Sequence, residues 1–235
     1  CSSFSTSGNR DKDWGKEKVF REGQAMQRLD DLVFVYIETV KKLQPKVAIL
    51  ENVSGLLKGN AKAYVKRMKS EIEKAGYQVQ IFLLNAASMG VPQKRERVFF
   101  ICRRKDLNWQ DLKLEFSEPP IVFSEVSKEA QKHKDQYKEF TELYLKYWHQ
   151  TKQGDAVGKF NATARKAKDN DVINTITAGS NYGFCHSTLP RPASKNELCL
   201  CGSFPLDYEF YNETNWHYLI GMSVPPVMTA QIAHQ

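Results

Sequence analysis

The sequence predicts an α/β fold, and three observations lead to it. Residues 47–50 form a continuous apolar run, which is typical of a short strand buried in a parallel sheet. Before this run, apolar residues recur at helical spacing over 32–43, and Pro45 ends that helix. After it, Glu51 and Asn52 follow directly, so we expect both side chains at the carboxyl end of the strand. That edge of an open α/β sheet is where ligands bind.

The alternation of helices and strands continues downstream. Helical spacing over 61–75, stopped by Gly76, predicts a second helix. Strands are predicted over 78–85 and 98–102. The loop between them contains Gln-Lys-Arg-Glu-Arg at 93–97, and such a loop can aim both arginines at one point.

The middle of the chain has a different character. We predict a small irregular lobe over 105–190, with one helix over 128–150 and a short strand over 172–177. The predicted helix contains an aromatic stripe, which is more typical of a core than of a stacking platform. Its members are Tyr137, Phe140, Tyr144, Tyr147 and Trp148.

Regular structure returns near the C-terminus. Ser194 and Glu197 have the spacing of a capping box, which predicts a short helix that Gly202 ends. A final helix is predicted over 226–234, with proline in its first turn.

Composition bounds the class of protein. The chain has 235 residues, 41% of them hydrophobic and 26% charged, which favours a globular domain. No apolar run reaches the ~18 residues that a membrane span needs, and no signal peptide is evident. The formal charge of +7 favours polyanionic partners only weakly.

The five cysteines favour reduced thiols and a cytoplasmic protein, because their number is odd and no secretion signal accompanies them. Cys199 and Cys201 are separated by one residue, and no second pair of this kind occurs. We therefore expect no metal site, and interpret the pair as two semi-buried thiols on a short helix.

Residues 6–29 are rich in Gly, Ser, Lys, Arg and Asp. This composition predicts an exposed loop. Taken alone, a loop of this length is either a lid or binding element, or a surface loop without a function.

Four short motifs occur in order along the chain. They are Cys-x-x-Phe-Ser at Cys1, Glu-Asn-Val at Glu51, Gln-x-Arg-x-Arg at Gln93 and Ile-Gly-x-Ser-Val-Pro-Pro at Ile220. Each is weak alone, but together they resemble the C5-cytosine DNA methyltransferase family of bacteria and phages. The resemblance covers nearly the whole chain except 105–190. It implies an incomplete Rossmann-like methyltransferase sheet with a small target-recognition lobe.

The resemblance implies a covalent mechanism. The thiolate of Cys1 would attack carbon 6 of cytosine, Glu51 would hold N3 through a proton, and Arg97 would contact O2. The matching motifs also place Asn52 and Arg95 among the predicted catalytic residues.

The family acts on a cytosine that is flipped out of duplex DNA, so double-stranded DNA is the implied partner. The segment over 6–29 matches the family's catalytic loop, which favours the lid interpretation. Ser5, Arg10, Gln93 and Thr175 are the implied DNA contacts.

The implied cofactor is S-adenosylmethionine, with Leu32, Ser223 and Val224 as candidate contacts. Met222 stands where the family has an asparagine, and Asp30-Asp31 replaces an Arg-Gly. The cofactor loop Phe-x-Gly-x-Gly has no match here. We therefore expect a C-terminal portion that neither binds the cofactor nor turns over alone.

The implied organisation has three parts. Residues 1–104 would be catalytic, 105–190 would recognise the target, and 191–235 would return to the catalytic domain. We expect a monomer when the protein is complete, with a missing N-terminal segment or subunit supplying the rest.

Two alternatives remain open from the sequence. A tRNA cytosine-5 methyltransferase would use the same motifs, although Ser5 in place of threonine favours DNA. A non-catalytic DNA-binding remnant, or one subunit of a split enzyme, would retain the motifs without activity.

Overall fold

The structure, a computed structural model, describes residues 16–17, 31–158, 164–179, 182–210 and 216–235. These residues form two compact units. Unit 1 lies within Cys1–Leu84 and Glu96–Leu114, and unit 2 within Asn85–Arg95 and Glu115–Gln235. The predicted three-part functional organisation stays a prediction.

Helices and strands are intermixed in the first half of the chain, and helices predominate in the second half. The helices are α1 (Leu32–Leu43), α2 (Lys62–Lys74), α3 (Phe123–Ala130), α4 (Glu142–Gln150), α5 (Lys195–Cys201), α6 (Trp216–Met222) and α7 (Pro226–His234). The strands are β1 (Val47–Val53), β2 (Tyr77–Asn85), β3 (Gln93–Lys94), β4 (Glu96–Arg104) and β5 (Ile173–Asn174). The α/β class predicted from the sequence is confirmed.

Unit 1 is a three-stranded sheet, in the order β1-β4-β2, packed against α1 and α2. Its core joins Ile37 of α1 and Met68 and Ile72 of α2 to Val98 and Phe100 of β4. The helical spacing of the sequence predicted both helices correctly. Gly76, at φ +94°, ends α2 in a backbone conformation that favours glycine.

The prediction of β1 as a buried parallel strand is wrong. β1 pairs with β4 in the antiparallel direction, from Val47 opposite Arg103 to Val53 opposite Arg97. One face of β1 packs on the core, whereas Val47 and Ile49 on the other face are exposed. A continuous apolar run shows that both faces of a strand are apolar, but it contains no information on strand direction.

In unit 2, the predicted helix over 128–150 is two helices, α3 and α4. The side chain of Asn196 donates to the carbonyls of Ala130 and Lys134, which ends the first helix by satisfying its backbone. Thr141 then accepts the N–H of Tyr144 and caps the second. Aromatic spacing continued across this break, so the pattern did not reveal it.

The aromatic stripe belongs partly to a core, as predicted. Tyr144 and Trp148 are buried, with Phe140 and Tyr147 packed against their cluster, whereas Tyr137 is exposed. The predicted strand over 172–177 is reduced to β5, which pairs in parallel with β3.

The C-terminal elements follow the capping signals. Ser194 and Glu197 form the predicted capping box at the start of α5. Cys199 and Cys201 lie on that helix and are fully buried, more so than predicted. The final helix α7 begins at Pro226 as predicted, but α6 was missed.

Across the described ranges, no helix has the length and apolar character needed to cross a membrane.

Candidate active site

Glu51 and Arg97 form the best-defined polar pair among the predicted catalytic residues. Glu51 lies opposite Phe99 and Arg97 opposite Val53, so the pair is diagonal on one face of neighbouring strands. The Nε of Arg97 lies 2.8 Å from Oε1 of Glu51, and the two side chains are 13% and 21% exposed. The pair is therefore sheltered but still accessible.

Burial lowers the pKa of Arg97, and the charge of Glu51 opposes that shift. Arginine remains protonated at any ordinary pH even so. The arrangement holds a carboxylate and a cation side by side at the surface of the sheet. Such a pair can orient a planar ring that presents one N–H and one carbonyl oxygen.

Asn52 does not join this pair. β1 continues through Val53, so the side chains of Glu51 and Asn52 point to opposite faces of the sheet. The expectation that both emerge together at the strand end is wrong. Asn52 is buried, and its Oδ1 accepts the N–H of Val53 at 2.9 Å. This contact is local and structural, and the catalytic role of Asn52 stays a prediction.

Arg95 lies in unit 2 and is almost completely buried, at 1% exposure. Its Nη2 donates to the carbonyls of Gly221 and Ser223, both at 2.8 Å. Its Nη1 donates to the carbonyl of Ile176 at 3.0 Å. The guanidinium is therefore engaged by protein carbonyls, which suits a positioning role better than contact with a substrate.

Gln93, a predicted DNA contact, is also buried at 1% exposure. Its amide nitrogen donates to the carbonyl of Cys201, and its amide oxygen accepts the N–H of Ile176, both at 3.1 Å. Both ends of the amide are used inside the protein.

Thr175 is exposed, as a DNA contact requires. Its hydroxyl donates to the carbonyl of Lys94 at 2.5 Å, which fixes the side chain against β3.

The candidate cofactor residues are distributed over both units. Leu32 begins α1 in unit 1 and is 43% exposed. In unit 2, the hydroxyl of Ser223 donates to the carbonyl of Leu219 at 2.7 Å, and Val224 follows as a partly buried residue. Cys1, Ser5 and Arg10 lie outside the described residues.

Sequence reasoning missed Gly221 as a residue that shapes the site. A Cβ on Gly221 would lie 2.6 Å from the backbone nitrogen of Ala178, so only glycine permits this approach. The glycine in the last motif was the available signal. What it packs against could not be read from the sequence, because Thr177 and Ala178 are distant along the chain.

The whole chain, residues 1–235, matches the family described as C-5 cytosine-specific DNA methylase. Curated relatives include the Type II methyltransferase M.AplI of Arthrospira platensis, 28% identical over 85% of this chain and 59% of that protein. The Type II methyltransferase M.FnuDI of Fusobacterium nucleatum is 49% identical over 33% of this chain and 22% of that protein. The chain thus spans little more than half of the first relative and less of the second.

Solved structures agree on the fold. A protein assigned as a DNA modification methyltransferase, encoded within an E. coli prophage, superposes with a TM-score of 0.70 at 15% identity, over 86% of this chain and 72% of that one. The S. pombe Dnmt2 methyltransferase gives 0.59 at 14% identity, over 86% of this chain and 71% of that one. Because the family model matches residues 1–235, this chain belongs to the C-5 cytosine-specific DNA methylases.

Proposed function

We propose that the protein containing this chain transfers a methyl group to carbon 5 of cytosine in double-stranded DNA. The observation that supports this proposal most directly is the pairing of Glu51 with Arg97 at 2.8 Å on one face of the sheet. Both residues come from motifs that the family uses on cytosine. Their sheltered but accessible position is what recognition of a flipped base requires.

The proposed reaction begins with the thiolate of Cys1, which bonds to carbon 6 of the ring. Glu51 shares a proton with N3, and Arg97 donates to O2, so the negative charge that enters the ring is stabilised. Carbon 5 then becomes nucleophilic and would take a methyl group from a sulfonium donor, whose sulfur keeps the electron pair of the broken bond and leaves as a neutral thioether. Loss of the carbon 5 proton to a solvent base breaks the bond to sulfur and returns the thiolate.

We propose S-adenosylmethionine as the methyl donor, since it supplies a methyl group bound to a positively charged sulfur. In unit 1, Leu32 has an exposed apolar side chain of the kind that packs on a flat heterocycle. In unit 2, Val224 is a partly buried apolar residue. Ser223 would contribute its hydroxyl oxygen as an acceptor, because its proton is directed at Leu219.

We propose that Thr175, Ser5 and Arg10 contact the DNA. The exposure of Thr175 and its fixed hydroxyl support this role. For Gln93, burial and two internal hydrogen bonds favour an indirect role, in which it holds the segment of Thr175 in place. The target-recognition role of residues 105–190 remains part of the proposal.

The proposed setting is the bacterial or phage-infected cytoplasm, where the complete protein acts as a monomer. The names of bacterial relatives as Type II methyltransferases, and of phage relatives as orphan methyltransferases, support this setting. A role in protecting DNA from a restriction enzyme belongs to the same proposal.

The test is methyl transfer by the natural full-length protein, with labelled S-adenosylmethionine and either duplex DNA or tRNA. We expect label in the duplex at carbon 5 of cytosine, and none in tRNA. Transfer to tRNA alone would reassign the substrate. Duplex binding without transfer would instead indicate a non-catalytic remnant. Glu51→Gln is the matched control, because it keeps the shape of the side chain but removes its charge.

A further inference from the structure

Three chain segments of unit 2 meet at one buried guanidinium. Nη1 of Arg95 donates to the carbonyl of Ile176 at 3.0 Å and to Oε1 of Gln93 at 3.3 Å. Its Nη2 donates to the carbonyls of Gly221 and Ser223, both at 2.8 Å. We call this meeting of residues 93–95, 173–178 and 221–223 the Arg95 junction.

The segment of Thr175 is fixed to β3 by further contacts. β5 pairs with β3, with Ile173 opposite Gln93. Gln93 accepts the N–H of Ile176, and the Thr175 hydroxyl donates to the carbonyl of Lys94. Backbone and side-chain bonds therefore both hold this segment.

A second, independent observation joins the segment of Thr175 to that of Ser223. A Cβ on Gly221 would lie 2.6 Å from the nitrogen of Ala178 and 2.7 Å from the carbonyl carbon of Thr177. The two backbones are thus in direct contact, and no side chain fits between them. A shift of one segment must displace the other, since a close-packed interior leaves little free space.

These contacts connect two proposed binding elements. Thr175 is the proposed DNA contact, and Ser223 is a proposed cofactor contact. The Arg95 guanidinium donates to the carbonyl of Ile176, which is next to Thr175, and to the carbonyl of Ser223 itself. A lysine could not reproduce the arrangement, because its ammonium is a single point charge, whereas the arginine fork has fixed, planar donors.

We propose that Arg95 is a positioning residue that couples DNA reading to cofactor binding. The inference rests on the proposed function, and it adds that the two ligands influence each other through this junction. Binding of the correct DNA would fix the position of the segment that contains Thr175. Through the Arg95 junction, this position would determine that of Ser223. S-adenosylmethionine would then bind more tightly when the DNA is correct.

The test measures the dissociation constant of S-adenosylmethionine for the natural full-length protein, with and without its preferred duplex. Coupling of this kind is typically about 5- to 150-fold. We expect Arg95→Lys to reduce the coupling factor to near one, and also to reduce discrimination against a duplex with one mismatched base pair. The matched control is Arg103→Lys, since Arg103 is another buried arginine that holds backbone carbonyls, but within unit 1.

Retention of both coupling and discrimination in Arg95→Lys would overturn the inference, even if kcat or stability fell. If that variant does not fold, Gly221→Ala disturbs the junction from its other side, and unchanged coupling there has the same consequence. If Arg103→Lys loses as much coupling as Arg95→Lys, then replacing any buried arginine has this effect. That result would also overturn the inference. If the wild-type protein methylates no DNA, the proposed function fails instead.

Discussion

Arg95 and Arg97 are two residues apart in one motif, yet their surroundings differ completely. Arg97 pairs with a carboxylate and keeps 13% of its side chain exposed, whereas Arg95 is 1% exposed and donates to backbone carbonyls. The first arrangement is a charged pair that keeps part of its surface exposed on one face of the sheet. In the second arrangement, the guanidinium joins segments of unit 2 by donating to their backbone carbonyls. Two arginines of one motif can therefore have different roles, one in a candidate catalytic pair and the other in stabilising the fold.

The largest expected effect is on activity, and it tests the pair that Arg97 forms with Glu51. Glu51→Gln should reduce kcat for methyl transfer by about 10²- to 10⁴-fold, because the carboxylate can no longer share a proton with N3. Stability should change little, since Glu51 is partly exposed. Single-turnover kinetics and urea unfolding measure the two quantities. A kcat within a few fold of wild type would remove Glu51 from the proposed mechanism.

The next effect distinguishes the two arginines by stability. Arg95→Ala should lower the free energy of unfolding by about 3–5 kcal/mol, because several buried carbonyls lose their donor. Arg97→Ala should lower it by less, about 1–2 kcal/mol, because the carboxylate that loses its partner is 21% exposed and can be hydrated. Urea unfolding followed by far-ultraviolet circular dichroism measures both variants, because each unit contains helices. Tryptophan fluorescence from the buried Trp148 and Trp216 then reports on unit 2 separately. Equal losses in the two variants would break the contrast.

A smaller effect concerns pH and a second buried polar cluster of unit 2. Nδ1 of His186 accepts the N–H groups of Thr188 and Leu189, and Ser127 and Glu197 lie near its Nε2. Burial lowers the pKa of His186, and Arg191 contributes to the shift, while Glu197 and Asp169 oppose it. The folded protein therefore favours the neutral ring.

Because the folded pKa is depressed, His186 should stabilise the fold above its ordinary pKa of about 6.5 and lose that contribution as pH falls below it. The loss between pH 7.5 and pH 5.5 should be at most about 1.4 kcal/mol, because only the unfolded chain gains the proton over the one pH unit below 6.5. Urea unfolding at pH 7.5 and pH 5.5 measures it. In His186→Asn, the free energy of unfolding should differ less between the two pH values. An unchanged difference in that variant would show that another group causes the pH dependence.

Local patterns predicted much of the fold. Helical spacing identified α1 and α2, and the spacing of Ser194 and Glu197 identified the start of α5. These signals act within a few residues, so one sequence contains them. The direction of β1 and the break between α3 and α4 depend on partners far along the chain, such as β4 and Asn196. No local pattern records them.

The candidate site divides in the same way. The family resemblance assigned Glu51 and Arg97 to the same base, and in the structure the two side chains lie 2.8 Å apart. The motif could not distinguish Arg95 from Arg97, because the difference lies in the backbone carbonyls of Ile176, Gly221 and Ser223, which are far along the chain. Asn52 was grouped with Glu51 by adjacency, whereas the alternation within a strand separates their side chains.

The most direct measurement of the central claim is covalent trapping. Duplex DNA with 5-fluorocytosine at the target position cannot lose a proton from carbon 5, so the bond between sulfur and carbon 6 should persist. We predict that the natural full-length protein, with S-adenosylmethionine, forms an adduct that peptide mass spectrometry maps to Cys1, and that Cys1→Ser forms none. An adduct that survives this substitution, or that maps to another cysteine, would contradict the account.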